Sequence, residues 1–194
     1  MLLSPSQTRP PLALLPERAR HGSLARKFDS TSVYTSSTEH FLGVPLDWNN
    51  KTGASFKIRY HIDSTAFDPA SSTAPVFVSM GGEGTSSGAH CSALAFRHKA
   101  LCVAIEHRFY GKSVPTDGVK TSNYRTGLYI EQNLADTAAV IDAVQAKYGG
   151  PRPVLNFGGS YSGATCAWFR QAHHFIWLCP VAYLVFHLSI AFAK

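Results

Sequence analysis

Three short apolar runs, each emptying into a glycine turn or a charged cluster, limit what this chain can fold into. Pro75-Val76-Phe77-Val78-Ser79-Met80 runs into Gly81-Gly82-Glu83-Gly84, Leu101-Cys102-Val103-Ala104-Ile105 ends at Glu106-His107-Arg108, and Pro153-Val154-Leu155-Asn156-Phe157 ends at Gly158-Gly159-Ser160. Runs of this kind suit strands covered on both faces, as in a parallel sheet. Helical stretches alternate with them. One is expected from about Ala89 to His98 and another from about Ser162 to Ala172. A third should run from about Glu131 to Tyr148, where Leu134, Ala138, Ile141, Val144 and Tyr148 recur at spacings of three and four. Gly149-Gly150-Pro151 ends that helix with a C-cap and a breaker. The fold class is therefore α/β, with a mostly parallel sheet and helices on both faces.

The flanking segments differ in character. Phe56, Ile58, Tyr60 and Ile62 alternate with Lys57, Arg59 and His61. That pattern predicts a half-buried strand, antiparallel or at an edge. Residues 107–130 carry Gly111, Pro115, Gly118 and Gly127 and are expected to be loop. Residues 1–40 are rich in Pro, Ser, Thr and Arg without a sustained period, which predicts a loose leader or surface arm. The apolar start Met1-Leu2-Leu3 is broken by Ser4 to Thr8, so no clear signal peptide is expected. Phe175 to Ala193 is almost wholly apolar and about as long as a membrane span. Pro180 and His187 suit a lipid-facing helix poorly. Membrane insertion through 175–193 is not favoured, and 175–194 is expected to be a divergent tail.

Composition removes several function classes. A chain of 194 residues can bury the core of one domain. Its net charge is +6, but the Lys and Arg residues are scattered and form no stripe beside stacking aromatics, so no nucleic-acid partner is expected. Cys91, Cys102, Cys166 and Cys179 make no C-x-x-C pair, which argues against zinc and thioredoxin chemistry. Disulfides and buried thiols both stay open. No G-K-[ST] follows the glycines at 81–84, so a phosphate loop is disfavoured, and no cofactor or metal is expected. Asn50-Lys51-Thr52 is a sequon for N-glycosylation at Asn50.

The chemistry concentrates at Ser160. A buried strand, then Gly-Gly-Ser, then a helix describes a nucleophile elbow. The turn is tight, so the positions two before and two after the serine must be small. Gly158 and Ser162 occupy them, which misses the strict G-x-S-x-G pattern only at Ser162. The elbow raises the serine hydroxyl at the positive end of the next helix, where a developing oxyanion is favoured. The backbone N–H of Tyr161 would be one oxyanion donor. Gly82, in a glycine loop after an earlier strand, would be the second, because glycine lets backbone approach a substrate closely. The bland alternative is an ordinary Gly/Ser turn. Glu83, Glu106, His107, Arg108 and Tyr110 lie at strand ends where such sheets form pockets, and they either line the pocket or pair among themselves. His107 is not expected to be the base, because in this fold the triad runs Ser, then acid, then His.

Taken together, the runs PVFVSMGGEG, EHRFYGKSVP, EQNLADTAAVIDAVQAKYG and GGSYSGATCAWFR, with the earlier VPLDWNNKTGASFKIRY, resemble the prolyl carboxypeptidase and dipeptidyl-peptidase II family of serine peptidases. The likeness covers residues 41–174, which it marks as the N-terminal part of an α/β-hydrolase catalytic domain. It implies a secreted, vesicular or lysosomal exopeptidase that takes peptides with proline next to the cleaved bond. It also implies Ser160 as the nucleophile that forms the acyl-enzyme, with Gly82 and Tyr161 as oxyanion donors. That family continues past its elbow, through a helical cap domain, to an Asp and a His. Here no Asp or Glu follows Ser160, and only His173, His174 and His187 remain. A chain truncated before the cap, and inactive by itself, is therefore expected. An esterase or lipase, or a non-catalytic membrane-tethered fragment, are the alternatives.

Overall fold

The computed structural model describes residues 37–173. The expected leader through residue 36, Cys179, His174, His187 and the apolar segment 175–193 lie outside the described residues. The three apolar runs form β3 (Val76–Met80), β4 (Leu101–Ile105) and β5 (Val154–Phe157). The alternating run forms β2 (Ser55–Asp63), and β1 (Thr38–Pro45) precedes it. The strand order is β1-β2-β4-β3-β5. The sheet is mixed: β3 pairs in parallel with both β4 and β5, whereas β2 is antiparallel to β1 and to β4.

Side-chain alternation divides the sheet into two buried faces. Val76, Val78 and Met80 share one face with Leu101, Val103 and Ile105. Two helices cover it: α3 (Ile130–Lys147), through Val140, Ile141 and Val144, and α4 (Tyr161–Ala172), through Cys166 and Phe169. Phe77 and Cys102 turn to the other face, against Ala95 of the short α1 (Ala93–His98). Helices thus cover both faces, as the strand–helix alternation predicts. All five residues of β4 are buried, and burying a Val, Leu or Ile side chain contributes about 1.5–3 kcal/mol.

Several boundaries differ from expectation. The segment 1–40 is not wholly leader, since Thr38 to His40 already belong to β1. That strand takes the edge, so β2 lies inside the sheet, and its polar residues Arg59 and His61 are buried. The first helix begins at Ala93 rather than Ala89, because the Ser92 hydroxyl accepts from the Ala95 N–H and sets the N-cap there. A seven-residue helix, α2 (Thr121–Gly127), occupies part of the stretch expected to be loop. The first turns of α3 bury polar residues, because Trp48 from the turn after β1 docks on them. Its backbone N–H donates to Gln132 Oε1 at 2.7 Å and its indole N–H to Asp136 Oδ1 at 2.8 Å.

Cys91 and Cys102 form a disulfide, resolving the choice the sequence leaves open for that pair. It ties the segment entering α1 to β4. Closing an 11-residue separation restricts the unfolded chain by about 3 kcal/mol on the chain-entropy account. Cys166 is buried against the core.

Candidate active site

The strand-to-helix turn at Gly158–Ser162 is built by sterics and one hydroxyl. A Cβ on Gly158 would lie 2.3 Å from the Ser162 carbonyl oxygen, so no other residue fits this turn without moving the backbone. Ser162 closes the turn from the other side. Its hydroxyl donates to the Gly159 carbonyl at 2.8 Å and accepts from the Gly159 N–H at 3.0 Å. A serine two places after Ser160 therefore does more than stay small: it latches the turn.

Ser160 stands at the apex with φ 55° and ψ −126°. A serine at a helix N-cap normally takes extended dihedrals and accepts from an N–H of the first turn. Ser160 makes no such cap bond. Its side chain is exposed, and its backbone sits in a region that non-glycine residues rarely occupy. Ser160 thus departs from an ordinary helix cap in both dihedrals and bonding. Among the described residues no histidine is hydrogen-bonded to its hydroxyl.

The glycine loop after β3 lies beside the elbow. A Cβ built on Gly82 would sit 3.7 Å from Ser162 Cβ, in ordinary van der Waals contact. Gly81 is packed more tightly still, because a Cβ there would fall 2.5 Å from the His107 backbone nitrogen and 2.6 Å from the Ile105 oxygen. The loop borders an open pocket of about 270 Å3 whose floor includes Ser79 and Ala104. Glu83, at the loop tip, is exposed.

From the end of β4, His107 reaches the same place. Its Nε2 lies 3.0 Å from the Tyr161 hydroxyl and its Nδ1 lies 2.7 Å from the Arg108 carbonyl oxygen. A carbonyl only accepts, so Nδ1 carries the hydrogen. Burial, aided by the Arg108 cation, lowers the His107 pKa and favours the neutral ring, against the Arg108 carbonyl and Glu83. In that neutral ring Nε2 accepts from the Tyr161 hydroxyl. Burial, with Tyr110 and Glu83 nearby, raises the Tyr161 pKa, so the phenol stays protonated and able to donate. Tyr110 packs edge-on against the His107 ring at 5.4 Å.

Glu106 and Arg108 are buried and paired. Glu106 is 1% exposed and Arg108 0%. Glu106 is ion-paired with Arg59 of β2, and Arg108 binds Asp136 of α3 through Nε at 2.7 Å and Nη2 at 2.8 Å. Alternate residues after β4 thus point inward to hold the loop, while His107 points to the elbow. The structure gathers Ser160, Tyr161, Gly82, His107 and Tyr110, and leaves Glu106 and Arg108 beneath them. The parts that local patterning does not show are the Ser162 latch and the Tyr161–His107 bond, whose partners are 54 residues apart.

Comparison with known proteins places the chain in a family. The family model described as serine carboxypeptidase S28 matches residues 45–181. The chain is 33% identical over 138 residues to a thymus-specific serine protease of Mus musculus, covering 67% of this chain and 26% of that protein. It is 35% identical over 109 residues to the thymus-specific serine protease of Homo sapiens, covering 50% and 20%. With the lysosomal Pro-X carboxypeptidase of Mus musculus it shares 42% identity over 79 residues, covering 39% and 16%. The chain therefore spans about a quarter or less of the length of these relatives. With the match across both the glycine loop and the elbow, the chain belongs to the serine carboxypeptidase S28 family of serine peptidases.

Proposed function

We propose that Ser160 is the nucleophile of an exopeptidase that cleaves next to proline. The backbone of Ser160 carries this assignment, because φ 55° and ψ −126° set an exposed serine at the apex of the turn, where its hydroxyl makes no cap bond to the helix that follows. Ser160 Oγ attacks the scissile carbonyl carbon and gives its proton to a base. The carbonyl electron pair moves onto oxygen, where the N–H groups of Tyr161 and Gly82 receive it. Collapse expels the protonated amine and leaves an acyl-enzyme, which water hydrolyses. Proline preference draws on the similarity to the Pro-X carboxypeptidase of mouse.

The base is the other half of the proposal. In this fold an acid and then a histidine follow the serine, and no Asp or Glu follows Ser160 in these 194 residues. The 194 residues by themselves are thus inactive toward peptides, with nucleophile and oxyanion donors but no oriented base. A fluorophosphonate probe should label Ser160 in the full-length protein, and that protein should turn over proline-containing peptides faster than p-nitrophenyl esters. No label at Ser160 would reject the nucleophile, and ester preference would move the assignment to an esterase. Turnover of a proline peptide by the 194-residue chain, lost in Ser160→Ala, would overturn its inactivity.

The compartment proposed is the secretory route or the lysosome. The Cys91–Cys102 disulfide suits oxidising surroundings, and the mouse relative is named as lysosomal. Asn50 is exposed on the turn between β1 and β2, with Thr52 Oγ1 donating to its Oδ1 at 3.2 Å. We expect it to carry an N-glycan. Asn50→Gln should then remove one endoglycosidase-sensitive step in mass from protein made in a secreting cell, and an unchanged mass would exclude the glycan.

A further inference from the structure

We infer that His107 is a positioning residue for both halves of the oxyanion hole, holding Tyr161 through its ring and the Gly81–Gly82 loop through its backbone. This rests on the assignment of Ser160 as nucleophile. His107 touches no reacting atom in the scheme above, so it would act only through these two neighbours.

The ring contact is directional. Tyr161 is the first residue of α4, and its N–H is one of the two donors in the scheme proposed above. Its hydroxyl donates to His107 Nε2 at 3.0 Å, and the two rings lie 5.5 Å apart. The imidazole cannot swing, because Nδ1–H is held by the Arg108 carbonyl at 2.7 Å and Tyr110 packs on its ring at 5.4 Å. Arg108 is itself pinned by Asp136. A rotation of Tyr161 that turned its N–H from the oxyanion would break the phenol bond, so the bond resists that rotation.

The backbone contact acts on the other donor. The His107 nitrogen lies so near Gly81 that a Cβ on Gly81 would fall 2.5 Å from it. Gly81 is thereby seated against the start of the loop after β4, and Gly82 follows it toward Ser162. One residue, 3% exposed, abuts both donor-bearing segments. A purely structural histidine would account for the bond to Arg108, but not for the second bond aimed at the residue after the serine.

The test uses kcat and KM of the full-length protein on a proline-containing peptide, with Ser160→Ala as the blank. Oxyanion donors act on charge that exists only in the transition state, so loosening one lowers kcat and leaves KM. Tyr161→Phe deletes one oxygen and should lower kcat by about tenfold, a fraction of the loss expected when a donor is removed outright. His107→Ala should do at least as much. His107→Gln, whose Oε1 can accept from the phenol, should return kcat to within about threefold of the parent. If His107→Ala does not fold, Tyr161→Phe decides the matter alone. Tyr161→Phe and His107→Ala variants that both keep kcat within about twofold of the parent overturn the role. So does a rise in KM at constant kcat, or a loss in His107→Gln equal to that in His107→Ala. A parent without Ser160-dependent turnover overturns the peptidase assignment, and the positioning role with it.

Discussion

Glu106→Gln is expected to destabilise the protein by about 3–5 kcal/mol, the cost of breaking a buried ion pair by neutralising one partner. The carboxylate is 1% exposed and surrounded by donors. Oε2 accepts from Arg59 Nε at 3.1 Å, the Lys112 N–H at 2.9 Å, the Ser113 N–H at 3.0 Å and the Ser113 hydroxyl at 2.8 Å. Oε1 accepts from the Ser86 N–H at 2.9 Å and from Arg59 Nη2. Whichever way a glutamine amide turned, its NH2 would face donors, and the Arg59 cation would keep the Ser86 carbonyl and, as its remaining carboxylate among the described residues, Glu39, whose side chain is 34% exposed. The loss would spread, because Glu106 ties β2, the loop bearing Gly82 and the turn at 112–113 to one point.

The same carboxylate sets a pH signature. Burial alone would raise its pKa, but Arg59, the Ser86 N–H and Ser113 outweigh it and hold the folded group below its ordinary 4.5. A depressed folded pKa means that this stability is complete above pH 4.5 and is lost as pH falls through the lower folded value. The parent should therefore lose stability through that acid window, and Glu106→Gln should lose less there, having less to lose. Urea midpoints measured from neutral pH into the acid range decide this. A neutral-pH loss below about 1 kcal/mol, or an acid limb as steep as the parent's, contradicts it.

Which parts of this were legible follows from how local their causes are. The three parallel strands follow from continuous apolar runs, and α3 from its three-and-four spacing, both contained in their own residues. The tight turn between β5 and α4 was legible too, since such a turn demands small residues at fixed offsets and Gly158 states that demand in one letter. The alternation in β2 separates its two faces, but it cannot say what covers the polar one. Arg59 and His61 therefore resemble solvent-facing residues until β1, Glu106 and Ser86 come to lie against them. Glu106 and Arg108 carry the same ambiguity, because their partners are 47 and 28 residues away. The helix α2 was hidden because Thr121-Ser122-Asn123-Tyr124-Arg125-Thr126-Gly127 shows no apolar period. Its Asn123 is instead buried by bonds to Asp117 and the Gly118 carbonyl.

Ser160→Gly should move activity and stability in opposite directions. Removing the nucleophile of a serine peptidase costs about 10^6-fold in kcat, and glycine and alanine at this position should be equally inactive. Their stabilities should differ. At φ 55° and ψ −126° a residue with a Cβ carries strain of about 1–3 kcal/mol, which the surrounding structure must hold in place. Alanine keeps the Cβ and so keeps the strain. Glycine adopts these dihedrals without it, at an entropic cost of about 0.5–1 kcal/mol. The exposed hydroxyl makes no hydrogen bond among the described residues, so little else is lost. The net gain of about 1 kcal/mol should raise the melting temperature of the glycine variant by about 2–4 °C over the alanine variant in a domain of this size. A glycine variant that melts at or below the alanine variant would mean that the elbow stores no strain at Ser160. The raised hydroxyl would then be held by packing of the Gly82 loop and Ser162 alone.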